Sequence, residues 1–304
     1  MLFPVTLCMK NKKYSILYCS FALLLGLVWS TQAQEPSAIE RGAYVFRASG
    51  GCSCHTDIER DGGFMAGGRG IATPFGTIYA TNITPDKETG IGAWSEADFM
   101  RAMTEGVAPD GSHYYPVFPY TSFTRMTARD LSDLKAYLFS LPPINKENLA
   151  SDLAPPFSWR FTLGFWKMLH FVRGPSATNP EQSDAWNRGA YLVEALAHCG
   201  ECHTPRTATG GLQEKLAYAG SAEGPEGELA PNITPDKETG IGTWSSADIT
   251  WYLQNGFEPE GDSAQGLMWE LIEHGYQHLS EDDLAAMAVY LRGLEPIEHK
   301  VGGD

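Results

Sequence analysis

Cys199-Gly200-Glu201-Cys202-His203 is the stretch whose residue types and spacing can do chemistry. Two thiols three positions apart, with an imidazole directly after them, match a covalent haem attachment site. Each thiol can add to a vinyl group as a thioether, and the imidazole reaches the iron from the same turn. Thr204-Pro205-Arg206 follows. A carbonyl just after such a motif, often the proline's, takes the Nδ1 proton of the histidine and leaves Nε2 for iron. A thioredoxin-like thiol pair or half a zinc site would also use the cysteines, but neither requires the histidine.

A second cluster, Cys52-Ser53-Cys54-His55, has one residue fewer between its thiols. Counted forward from Tyr44, Cys52 matches Cys199; counted backward from His55, Gly51 does, and only Cys54 would bond a haem. The spacing leaves both registers open. A haem is expected here too, because the surrounding sequence repeats that of the other site.

That repeat defines the elements that must position both clusters. Asn82 to Gly92 reads NITPDKETGIG and recurs unchanged from Asn232 to Gly242, with Trp94 and Trp244 following; Arg41-Gly42-Ala43-Tyr44 recurs as Arg188-Gly189-Ala190-Tyr191. A repeat of this length is a tandem duplication. Each half is predicted to have a helix leading into the cysteine cluster (36–49 and 183–197), a Gly-rich loop, the NITPD stretch, a middle helix and a closing helix. Gly42 and Gly189 would let another helix approach closely. The closing helices begin at capping signals, Thr127 with Asp130 and Ser280 with Asp283, and carry apolar faces through Leu131, Leu134 and Leu138 and through Leu284, Met287 and Leu291. Pro142-Pro143 and Pro296 end them. Strands are limited to short pieces such as 77–80. The fold class is therefore mainly α, with two tandem c-type cytochrome domains.

The chain has 304 residues, 43% of them hydrophobic and 19% charged, which suits a globular protein of two domains. Lys10, Lys12 and Lys13 precede an apolar run ending near Trp29, and Thr31-Gln32-Ala33 supplies the small residues of a cleavage site. Residues 1–33 thus read as a signal peptide for export to the periplasm; an uncleaved anchor is the competing reading, for which the apolar run is short. Cleavage would remove Cys8 and Cys19 and leave four cysteines, all in the two clusters, with none for a disulfide. It would also remove three lysines and no acid, taking the net charge from −15 to −18. So acidic a surface excludes general nucleic-acid binding. The remaining organisation is a first haem domain at 34–145, an aromatic-rich linker at 146–181 and a second haem domain at 182–304.

Each haem needs a sixth iron ligand. In the second half Met268 lies between the middle and closing helices, where a loop could lay its thioether over the distal face; Met287, on the apolar face of the closing helix, suits core packing. Histidine and methionine together favour electron transfer at raised potential. His274 and His278 read as surface residues. Trp94 and Trp244 would pack beside the haems, and Asn82 and Asn232 are placed to bond a propionate unless the repeated turn serves the fold alone.

The RGAY helix, TPFGTIYATNITPD at 73–86 and the loop Tyr114-Tyr115-Pro116-Val117-Phe118-Pro119-Tyr120 resemble the cytochrome c subunits of membrane-associated alcohol, gluconate and related dehydrogenases. The resemblance covers nearly all of the chain after residue 33. In that family a methionine of the YP-x-M-PY loop ligates iron, and here that position is Phe118, which cannot. Met126, just before the closing helix, and His113, before the YP turn, are the available substitutes, or the iron is five-coordinate; Met65 is a weaker choice.

Two covalently bound haem c groups are thus expected, ligated through Cys52, Cys54, Cys199 and Cys202 to the porphyrins and through His55, His203 and Met268 to iron, with Met126 or His113 for the first haem. The resemblance implies an electron carrier, not an enzyme. Its partners would be a flavin, quinoprotein or molybdenum dehydrogenase subunit and a downstream quinone, cytochrome or oxidase. The missing methionine at Phe118 keeps a second class open, a dihaem enzyme or sensor of peroxidase-like or thiosulfate-oxidising kind. The aromatic, basic linker 155–173 is too short and too charged to span a bilayer, and reads either as packing between the halves or as a surface for peripheral contact with a partner or membrane. The family's third haem domain and C-terminal anchor have no counterpart in the residues that follow.

Overall fold

The computed structural model describes residues 35–60 and 62–302, without side chains for Cys52 and Glu59; the expected leader and its cleavage site lie outside them. The first helix, α1 (Ala38–Ala48), starts at Ser37, whose hydroxyl accepts the Glu40 N–H while the Glu40 carboxylate reaches back. This capping box satisfies two of the four donors left open at a helix start. A 3₁₀ segment, Gly50–His55, carries the first cysteine cluster. Then come β1 (Gly70–Thr73) and β2 (Gly76–Tyr79), paired antiparallel. The middle helix α2 (Glu96–Glu105) is boxed by Ser95 and Asp98 and ends on the left-handed Gly106. A single turn, α3 (Tyr120–Phe123), precedes the closing helix α4 (Ala128–Leu138). Residues 152–153 form β3, added to β2, and α5 (Thr162–His170) lies in the segment between the halves.

The second half repeats the order, helices at matching places. It begins with α6 (Asp184–Tyr191), which runs on into a π turn, Leu192–Leu196. A π turn holds one residue more than an α turn, and it stands immediately before the second cysteine cluster. That cluster opens the short helix α7 (Gly200–His203). The middle helix α8 (Ser246–Asn255) is boxed by Ser245 and Asp248, as α2 is; α9 (Gly266–His274) and the closing helix α10 (Glu281–Arg292) complete the chain. The fold is mainly helical, with one small antiparallel sheet of order β1-β2-β3 among the described residues.

Within each half the leading helix crosses the closing helix at its glycine. A Cβ on Gly42 would sit 1.9 Å from the Asp133 carbonyl oxygen, and one on Gly189 2.0 Å from that of Ala286. Only a residue without a side chain permits this approach. Leu131, Leu134 and Leu138 of α4 and Leu284, Met287 and Leu291 of α10 line the shared core, as their spacing predicts.

Between the halves the contacts are reciprocal. The tyrosine that ends each RGAY motif reaches the start of the other half's closing helix. Tyr44 Oη donates to Asp283 (2.6 Å) and accepts the N–H of Ser280 (3.1 Å); Tyr191 Oη donates to Asp130 and accepts the N–H of Thr127 (3.0 Å). In α1, α2 and α8 the acid three residues on serves the cap itself. In α4 and α10 a phenol from the other half takes that place, so each closing helix is fully capped only when the halves are together. From Pro36 on, the described residues form one compact unit.

Candidate functional site

The two histidines of the clusters are held alike. His55 Nδ1 lies 2.7 Å from the Thr81 carbonyl oxygen and His203 Nδ1 lies 2.7 Å from that of Pro231. A carbonyl can only accept, so Nδ1 carries the proton and Nε2 keeps its lone pair. Burial holds both imidazoles below the ordinary histidine pKa, which keeps them neutral. Neither Nε2 has a hydrogen-bond partner among the described residues. The acceptor is not the Pro205 carbonyl expected from the motif. It is the residue directly before each NITPD stretch, Thr81 in one half and Pro231 in the other, so the repeated turn sets the position of the carbonyl and not its residue type.

The same stretch corrects the expected role of its asparagines. Asn82 Oδ1 accepts from the N–H and hydroxyl of Thr84, and its Nδ2 donates to Thr89 and to the Ile144 carbonyl (2.7 Å). Asn232 repeats this with Thr234, Thr239 and Ile297. Both are buried. Their hydrogen-bonding capacity is used in tying the turn to the chain beyond the closing helix, which leaves none for a propionate.

Cys199 and Cys202 flank the first turn of α7, and burial pushes both thiols up to about 12. Cys54, Cys199 and Cys202 form no disulfide. Cys202 lies within electrostatic reach of Cys54, so the two clusters are neighbours across the join between the halves. Among the described residues no three His, Cys, Asp or Glu side chains converge as a metal cage. Two thiols and a neutral imidazole with free Nε2 are the donor set that covalent haem requires.

Each cluster is clamped by the other half. Glu201, inside the second motif and buried, accepts from Thr121 and Ser122 at α3 and pairs with Arg206 at 2.7 Å. The first cluster is clamped by backbone instead: Gly50 and Gly51 lie against Leu271 and His274 of α9. The holding roles of Glu201 and of Gly50 and Gly51 are not visible in the sequence, because their partners in the other half are more than 60 residues away.

The distal loops are superposable by their hydrogen bonds. Val107 bridges His113 and Phe257 bridges Ser263; the N–H of Tyr114 bonds the Gly106 carbonyl as that of Ala264 bonds Gly256. By this register Phe118 stands at the place of Met268. Met268 is half-buried in the first turn of α9, not in a loop as expected. Phe118 joins Tyr114, Tyr120 and Phe123 in a group of edge-on rings. His113 faces α5: its Nδ1 lies 2.9 Å from Lys167 Nζ, and a Cβ on Gly164 would lie 3.5 Å from its Nε2. Met126 is buried at the residue before the Thr127 cap, the place Leu279 fills before Ser280. Met287 is fully buried in the core, and His274 and His278 are exposed.

The chain is 43% identical over 263 residues to a dihaem c-type cytochrome of Cereibacter sphaeroides, an alignment covering 85% of this chain and 86% of that one. The chain belongs to the dihaem c-type cytochromes. The fructose dehydrogenase cytochrome subunit of Gluconobacter japonicus is 40% identical over 281 residues, covering 90% of this dihaem cytochrome and 57% of its relative. The gluconate 2-dehydrogenase cytochrome c subunit of Pantoea cypripedii is 38% identical over 288 residues, covering 90% and 64%. The cytochrome thus spans about three fifths of the length of these dehydrogenase subunits. No family model matches it. Among its described residues no helix is long and apolar enough to cross a membrane.

Proposed function

We propose that this chain is a periplasmic dihaem electron carrier that takes electrons from the catalytic subunit of a dehydrogenase and passes them to a quinone, cytochrome or oxidase. The observation that carries this reading is the pair of neutral imidazoles, each following a cysteine in its cluster with Nδ1 spent on a carbonyl and Nε2 left open, in two clusters whose Cys54 and Cys202 lie within electrostatic reach of each other. Haem supplies one-electron iron chemistry when bound. The protein's part is to hold His55 and His203 in the ligating tautomer, to attach the porphyrins through cysteine, and to keep the two clusters close. Met268 is the sixth ligand we assign to the second haem. The dehydrogenase we assign it is of flavin, quinoprotein or molybdenum type.

The segment between the halves offers a docking face. Trp159, Phe161, Phe165, Leu169 and Val172 are exposed, and Met168 is 82% exposed. The inner side of α5 packs on the first half's distal loop through Lys167, which donates to the Glu105 and Gly106 carbonyls, and through Phe171 against Tyr120. An exposed apolar patch with Arg160 and Arg173, on so acidic a protein, suits a protein partner beside the first haem.

Phe118 favours a second reading for that haem: the first half has no thioether at the position matching Met268, so on this reading a bound iron would be open to small ligands and the first half would be a sensor or an oxidant-reducing site. The optical spectrum of the reduced protein before and after carbon monoxide, with haem content measured on the same sample, tests both. Two haems and no shift support the carrier alone. Two haems with one shifting support an open first site, and turnover with peroxide then decides whether it is used. Fewer than two haems removes the reading.

A further inference from the structure

We infer that the first half holds its haem by a single thioether, from Cys54, and that Cys52 keeps its thiol; this rests on the haem reading above. The ambiguity between the two clusters is one residue, and the structure shows where that residue is. At the end of α1 the N–H of Ser49 donates to the Val45 carbonyl, four residues back. In the second half the matching carbonyl, that of Leu192, receives the N–H of Ala197, five residues back. The extra residue is therefore consumed by the π turn Leu192–Leu196, before the cluster begins.

From that point the halves run at equal count. Gly50 (φ 73°) matches His198 (φ 43°), both left-handed, and Thr56 (φ −124°, ψ 118°) matches Thr204 (φ −127°, ψ 127°). By this count Gly51 stands at the place of Cys199 and Cys52 at that of Gly200, and the backbones part at that pair, Gly51 being left-handed (φ 69°) where Cys199 is helical (φ −52°). The loop between the thiols is not shortened; the first thiol is displaced by one position along the 3₁₀ segment.

The other half explains why no thiol stands at 51. A Cβ there would lie 2.7 Å from the His274 carbonyl oxygen and 2.9 Å from the His274 Cβ, and Gly51 has φ 69°. Backbone blocks the site and the conformation excludes an ordinary side chain. The end of α9 therefore occupies the space that a first cysteine would need.

In the attachment step the Cys54 S–H adds across one vinyl group. A carbon–sulfur bond forms at the carbon next to the ring, the π bond is lost, and the thiol proton ends on the terminal carbon, with no net oxidation. The second vinyl group has no thiol at the matching place and stays conjugated with the porphyrin.

The test uses the full chain, matured in a host that attaches haem c, as wild type, Cys52→Ser and Cys54→Ser. Covalent haem per chain is measured after acid–acetone extraction, and the denatured wild type is alkylated and mapped by mass. We expect two covalent haems in wild type and in Cys52→Ser, one in Cys54→Ser, and an alkylated Cys52 on the same peptide as the Cys54 haem. The pyridine haemochrome of wild type then has its α band at longer wavelength than a cytochrome with two thioethers per haem. A peptide mass showing both thiols consumed, or loss of a covalent haem in Cys52→Ser, overturns the inference while leaving the haem reading intact. A single covalent haem in wild type, unchanged by Cys54→Ser, removes the haem reading of the first half and the inference with it.

Discussion

The two halves agree in the turns that orient their histidines and in the tyrosine each lends to the other's closing helix, and differ in how each cysteine cluster is held at the join. The NITPD turns are held by the same hydrogen bonds to within about a tenth of an ångström: Asn82 to Ile144 at 2.7 Å and Asn232 to Ile297 at 2.7 Å, with the same Thr84 and Thr234 donors. Both serve one local task, presenting a carbonyl to a histidine. The differences gather at the join. The second cluster is latched by Glu201, and the first by glycine backbone. In the second half Asp283 takes both Arg188 and Tyr44. The first half divides that work, with Asp133 holding Arg41 and Asp130 holding Tyr191. Duplication preserved the turns that orient the histidines, while the cysteine spacing, the distal position (Phe118 against Met268) and the way each cluster is held have diverged.

The largest expected effect exchanges the distal residues. On the open-site reading, carbon monoxide binds about one haem per chain in wild type; Phe118→Met should lower this toward none and Met268→Phe should raise it toward two. An unchanged stoichiometry in both variants would show that these positions do not face iron.

Next come the helix crossings. Gly42→Val and Gly189→Val force a side chain into backbone at about 2 Å, and each should cost about 3 kcal/mol or more in urea unfolding. Equal losses would show that the crossings are equivalent in both halves.

The acids should then separate the halves. Asp283→Ala removes a two-point pair with Arg188 and the acceptor of Tyr44, and should cost about 3 kcal/mol. Asp130→Ala loses one phenol contact and should cost about 1 kcal/mol. Burial alone would raise the Asp283 carboxyl, but the hydrogen bonds from Arg188 and Tyr44 outweigh it and hold the group below its ordinary value of 3.8. Its stabilisation is therefore present above that value and lost as the pH falls below it. The stability gap between wild type and Asp283→Ala should close on acidification.

Tyr44→Phe and Tyr191→Phe each leave a closing helix without its full cap. Each should cost about 1 kcal/mol, and the two losses should add because the sites are separate. The smallest effect belongs to α5. Burial lowers the Lys167 ammonium to about 8, with Glu105 opposing. The folded state thus holds fewer protons than the unfolded chain between about 8 and the ordinary value of 10.5, so stability should rise with pH across that window. Lys167→Met should flatten the rise in a series of denaturant midpoints.

Much of the fold was legible because its signals are local. Ser37, Ser95, Ser245, Thr127 and Ser280 cap helices by side chains that reach three residues, and the apolar faces of α4 and α10 repeat at helical spacing. Gly42 and Gly189 declared a close crossing by having no side chain. The Nδ1 acceptor was misplaced to Pro205 because proximity in sequence suggested it, whereas the fold brings Pro231 to the ring from 28 residues away. For Asn82 and Asn232 the sequence leaves a propionate and a purely structural turn both open, and only the fold shows their partners across the turn and beyond the closing helix. His113 was attractive as a loop histidine, and only α5 shows what its ring meets.

The sequence by itself determined the haem chemistry, the duplication and the helical class, since each is written in residue type and spacing along the chain. Tertiary structure decided the register of the first cluster, the identity of the carbonyls that orient the histidines and the capping of each closing helix by the other half. These depend on where backbone from distant segments stands, and an extra residue in a helix leaves no mark in the sequence that says which turn absorbs it.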